Sequence, residues 1–142
     1  MRRWLLICGR LALAAVFLWA AYAKLRDPWM VFAMEIDAMK VVPSSLSEPV
    51  ARTLPWFELA LGVLLLVGLK TRYVASVATV LLLGFFVMLL MLYVRGFDGD
   101  CGCFGPGERL GPKILARDGA LVLLSVWVTW EAFRRARYLK GA

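Results

Sequence analysis

The sequence predicts an all-α integral membrane protein. Four transmembrane helices pack as a small up-down bundle, with a short amphipathic helix in the first outer loop. Three observations carry this. The chain of 142 residues is 62% hydrophobic with a mean hydropathy of +0.75. A soluble domain is nearer half apolar, so the excess must face lipid. The apolar residues fall into four continuous runs, about 4–23, 54–69, 73–94 and 114–133, each near the roughly 20 residues that a span needs. Runs such as LLLGFFVMLLML do not alternate, which excludes the strands of a membrane barrel. Residues 1–142 are read as one transmembrane domain, with outer loops at 24–53 and 95–113.

The first run follows Arg2 and Arg3 and ends at Ala21-Tyr22-Ala23, a build it shares with signal peptides. Arg10 interrupts its apolar middle, and the run is expected to be retained as a span. In the loop that follows, Asp27 is read as a helix cap and Pro28 as the first helical residue. Trp29, Phe32, Ala33, Ile36 and Met39 recur at helical spacing and Pro43-Ser44-Ser45 ends the pattern, so a short amphipathic helix should lie on the outer face. Pro49 and Pro55 flank the entry to the second run, and Pro55 is either its first turn or a kink. Lys70 and Arg72 occupy the tight turn before the third and cleanest run. Gly111-Pro112 is a plausible entry to the fourth.

The net charge of +7 does not point to nucleic acid, because the basic residues cluster at span ends. Arg2 and Arg3, Lys70 and Arg72, and Arg134, Arg135, Arg137 and Lys140 all fall on one side if the span count is even. Lys and Arg are denser there than in the two longer loops. Both termini are therefore expected in the cytoplasm of a bacterial-type inner membrane, with both long loops outside.

The outer loop DGDCGCFGPG holds Cys101 and Cys103, separated by Gly102. On the outer side disulfides persist. A bond across one residue closes a small, strained ring, and strained exposed disulfides are the labile, catalytic kind. Gly102 has no Cβ to obstruct the tight backbone, and Phe104-Gly105-Pro106-Gly107 turns the chain away. Three plainer readings stand beside a redox pair. So small a ring is a poor structural staple. A zinc site would need more ligands than three Cys and no His provide, and no metal is expected. The two could also be unpaired thiols. The lack of His excludes a haem held by paired histidines. Cys8 lies near the other membrane face and is read as a small buried apolar side chain without chemistry.

Charges within spans are functional hypotheses by default. Arg10 and Glu131 are expected to pair across spans one and four. Lys24 and Glu58 lie at the outer depth, and a Lys24–Glu58 ion pair beneath the cysteines is the sharper expectation; a lysine there would also favour the reactive thiolate. Snorkelling and plain bundle pairing are the competing reading. Trp19, Tyr22, Trp29, Trp56 and Phe57 crowd the same level, as an aromatic belt or as the wall of a quinone headgroup pocket, for which Trp19, Tyr22 and Trp56 are the candidates.

Ala23-Lys24-Leu25-Arg26-Asp27-Pro28 and Pro55-x-x-Glu58-x-x-x-Gly62 are similar to the corresponding segments of DoxX-type membrane proteins. Asp100-Cys101-Gly102-Cys103-Phe104-Gly105 resembles the MauE branch, the methylamine-utilisation membrane proteins. The resemblance implies a four-span, redox-associated membrane protein. In the MauE group the implied task is to support disulfide formation in an exported protein beside a thioredoxin-like partner. In the DoxX group it is to pass electrons from a sulfur compound to quinone.

Three functions follow as expectations. The first is a membrane thiol–disulfide oxidoreductase in which Cys101 and Cys103 exchange with an exported redox protein, linked to a membrane quinone. The second is a non-catalytic anchor or assembly factor for a thioredoxin-like or dehydrogenase partner. The third is a quinone-binding subunit of a sulfur-oxidising complex.

Overall fold

The computed structural model describes residues 2–40, 42–96 and 111–141, and these form five α-helices. They are α1 (Arg2–Arg26), α2 (Trp29–Met39), α3 (Ser44–Val67), α4 (Thr71–Val94) and α5 (Pro112–Gly141). Helices α1, α3 and α4 are long and apolar enough to cross a membrane. Helix α5 is not among them, because Arg117 and Asp118 bracket its apolar stretch at one end and Glu131, Arg134 and Arg135 at the other.

The four long helices touch in a ring, α1 on α3, α3 on α4, α4 on α5 and α5 on α1, while α2 lies mainly against α3. The main core joins Leu13, Ala14 and Phe17 of α1 with Leu61 and Leu65 of α3, Ala75 and Ala78 of α4 and Val128 of α5. A second cluster joins Met39 to Leu89 and Leu92, with Ile114 and Leu115 packed on it. Lipid supplies no hydrophobic force between helices, so close approach and polar contacts matter more there. A Cβ on Gly62 would meet the Leu18 side chain at 2.8 Å, and one on Gly9 would meet Val128 at 2.9 Å. These glycines let α1 seat closely on α3 and α5. Between α4 and α5 the hydroxyls of Thr79 and Thr129 meet at 3.0 Å.

The segment between the first two expected spans is more helical than expected. Helix α3 starts at Ser44 rather than near residue 54 and runs through both Pro49 and Pro55. Each proline removes one backbone bond. Burial of Ala51, Pro55 and Glu58 against the bundle overrides that local cost. Helix α2 forms where its periodicity places it and buries Phe32 and Met39. Its start differs, however. Pro28 itself takes the cap position and no side chain caps the helix; Asp27 Oδ2 is buried without a hydrogen-bond partner among the described residues. The α2 end is tied down by Ser44 Oγ, which donates to Asp37 Oδ1 at 2.7 Å.

Cys8 is exposed, not buried. The inward line of α1 runs through Leu6, Leu13, Ala14, Phe17, Ala20 and Ala21, and Cys8 falls on the opposite side of the helix.

Candidate functional site

An ion pair whose two side chains are both almost wholly enclosed sits in the half of the bundle where α1 ends and α5 begins. Lys24 stands in the last turn of α1, where the negative end of the helix dipole favours a cation. Its ammonium donates to both carboxylate oxygens of Glu58, at 3.3 and 3.0 Å. The two side chains are 3% and 4% exposed. Phe32 of α2 covers the ammonium, with its ring centroid 5.6 Å away. The expected Lys24–Glu58 pair is therefore present.

A third charge belongs with it. A cavity of about 40 Å³ is lined by Phe17, Lys24, Glu58, Phe85 and Asp118, among others. That volume has room for a water or two. Asp118 is buried and accepts from Arg117 Nε at 3.2 Å. Sequence reasoning passed over Asp118 although it placed the residue within the fourth run, about 114–133, and read Gly111-Pro112 as its entry. The signal left unused was a carboxylate inside a span, which is a functional hypothesis by default.

Cys101, Gly102, Cys103 and Phe104 lie outside the described residues. The described chain leaves α4 at Gly96 and resumes at Gly111, and α4 and α5 contribute Phe85 and Asp118 to the cavity with Lys24 and Glu58. Among the described residues no group of three or more His, Cys, Asp or Glu side chains could hold a metal ion.

Trp19, Tyr22 and Trp56 are all more than half exposed. Trp19 and Tyr22 stack loosely on each other, with centroids 5.9 Å apart. None of the three lines the small cavity. Trp56 instead borders an open groove with Asp27, Trp29 and Arg52, where the Arg52 guanidinium lies 4.2 Å from the Trp29 ring centroid.

The expected Arg10–Glu131 pair is not formed among the described residues. Glu131 meets Arg134 of its own helix at 3.7 Å, one turn away. Arg10 is turned to the end of α3, where a Cβ on Gly68 would lie 2.6 Å from its Nη1. The last carbonyls of α3 make that place attractive to a cation.

A family model described as "Methylamine utilisation protein MauE" matches residues 2–131. The chain belongs to the MauE family. Among curated proteins it is similar to the "Methylamine utilization protein MauE" of Methylorubrum extorquens, with 29% identity over 114 residues, which is 78% of this chain and 61% of that relative. The chain thus spans about three fifths of the length of the curated relative it matches. No solved structure matches it. The region shared with the MauE model takes in Lys24, Glu58, Asp118, Cys101 and Cys103. With its three long apolar helices, this MauE-family chain is a membrane protein.

Proposed function

We propose that this protein is a membrane thiol–disulfide oxidoreductase serving methylamine utilisation, with Cys101 and Cys103 as its exchanging pair. The observation that carries the reading is C-G-C within a MauE-family chain. The same chain buries a Lys24–Glu58 pair in the half of the bundle that its loop joins. In this reading α1, α3, α4 and α5 all cross the membrane as a four-helix bundle. Both termini are cytoplasmic and the cysteine loop is outside.

The step balances as two-electron exchange. A thiolate of an exported, thioredoxin-like partner attacks one sulfur of the Cys101–Cys103 disulfide and forms a mixed disulfide. The partner's second thiolate attacks its own sulfur in that bond. It leaves with a disulfide, and Cys101 and Cys103 become a dithiol. Two electrons and two protons then pass from the dithiol to a membrane quinone, which becomes quinol, and the disulfide re-forms. Lys24 contributes little net field at the thiols, since Glu58 neutralises it at 3.0 Å. Its part is to fix α1 against α3 below the loop.

The test is thiol trapping, with maleimide labelling after acid quench to read the redox state and, separately, a membrane-impermeant maleimide on intact cells to read the side that the loop faces. Cys101→Ser and Cys103→Ser should each abolish exchange and leave a folded protein, whereas Cys8→Ser should exchange normally. Full exchange by both single variants, or labelling of the loop from the cytoplasmic side alone, rejects the proposal.

A further inference from the structure

The opposite end of the molecule carries charge that the thiol chemistry does not use. A cleft of about 310 Å³ opens between α1, the α3–α4 turn and α5. Four cationic side chains line it: Arg10, Lys70, Arg72 and Arg135. Its lining includes no carboxylate among the described residues. The remaining walls are largely apolar, among them Leu6, Ile7 and Leu139.

Three of the four are held where they are by local structure. Arg10 enters from the third turn of α1 and rests on Gly68, with its Nε buried and without a hydrogen-bond partner among the described residues. Lys70 has left-handed backbone geometry, with φ 45°, which places it in the turn between the helices. Arg72 lies over the Tyr73 ring, 4.6 Å from its centroid. The neighbouring acid, Glu131, is engaged with Arg134 and lines the adjoining cleft, not this one. Four like charges gathered around one opening repel each other unless an anion enters.

We infer that this cleft binds the phosphodiester of an anionic phospholipid headgroup. Arg10, Lys70, Arg72 and Arg135 would hold the phosphate, and the apolar walls would border the acyl chains. A basic pocket between membrane helices suits an anionic lipid headgroup. Guanidinium groups match phosphate oxygens bidentately. The inference is independent of the cysteine chemistry.

The full-length protein would be reconstituted in nanodiscs of phosphatidylcholine with an equal share of phosphatidylglycerol, and retained lipid counted by native mass spectrometry. Phosphatidylglycerol should be retained in preference to phosphatidylcholine. Lys70→Gln, at the exposed turn, and Arg72→Gln, at the half-buried first turn of α4, should each lower that preference about fivefold, and together more. Arg10→Gln should do the same; because its loss can also disturb the α3 end, the turn variants carry the test. Equal retention of the two lipids overturns the inference. So does undiminished preference in the Lys70→Gln, Arg72→Gln double variant. Inorganic phosphate that stabilises the detergent-solubilised protein as well as phosphatidylglycerol does would mark a free-phosphate site and overturn the lipid assignment.

Discussion

Removing one partner of the Lys24–Glu58 pair should cost far more stability than removing both. At 3.0 Å and an effective dielectric constant of about 20, the attraction is about 332/(20 × 3.0), or roughly 5.5 kcal/mol. Side-chain exposures of 3% and 4% mean that almost all hydration has been given up by both ions. That desolvation offsets much of the attraction, so the intact pair adds little net stability. Glu58→Gln takes from the buried ammonium the carboxylate that accepts from it at 3.0 Å, and Lys24→Met leaves the buried Glu58 carboxylate without its ammonium. Each should destabilise by about 3–5 kcal/mol, whereas the double variant Lys24→Met, Glu58→Gln should recover most of the loss. The assay is reversible unfolding in mixed micelles, read by tryptophan fluorescence and analysed as a double-mutant cycle, with a coupling at least as large as one single variant's loss, about 3–5 kcal/mol or more. Single variants within about 1 kcal/mol of the parent, or a double variant equal to the sum of the singles, would refute the account.

Three further outcomes follow from the packing. Gly68→Val should lose at least about 1–2 kcal/mol, measured by the same unfolding assay, because φ is +86° and a Cβ would strike Arg10 at 2.6 Å. Gly62→Leu should cost about 1–3 kcal/mol by overpacking, since Leu18 offers both side chain at 2.8 Å and backbone nitrogen at 3.2 Å. Thr79→Ala should cost only about 0.6 kcal/mol, the usual worth of one hydrogen bond between membrane helices, because Thr129 still donates to Ser125 within its own helix.

The helices and the Lys24–Glu58 contact were legible because their signals are local and few partners compete. An apolar run that long has no other stable form in lipid. A lysine at the end of one span and a glutamate near the start of the next can hardly avoid each other. The failures share the opposite cause. Arg10 had several possible partners at its end of the bundle, and depth alone does not say which way a long side chain turns. The end of α3 won over Glu131, which had a nearer arginine at i+3. The start of α3 was misjudged because prolines usually punctuate helices. Here burial of Ala51 and Pro55 decided instead. Cys8 was misplaced because residue type was used where helical phase was needed.

The two ends of the molecule treat charge in opposite ways, and that contrast bears on orientation. At the Lys24 end, positive charge is matched inside the fold: Lys24 by Glu58, and Arg117 by Asp118 at 3.2 Å. At the Arg10 end, four cations border one cleft with no acid in its lining among the described residues. Lys and Arg in short segments at span ends are what hold a side in the cytoplasm, and Asp and Glu count little. In the orientation proposed above, the Arg10 end lies inside. Neutralising the Arg10 end should weaken that preference. Glu58→Gln, which leaves every Lys and Arg in place, should not shift it, and a topology reporter fused after α5 reads both. A change of orientation caused by Glu58→Gln alone would refute that expectation.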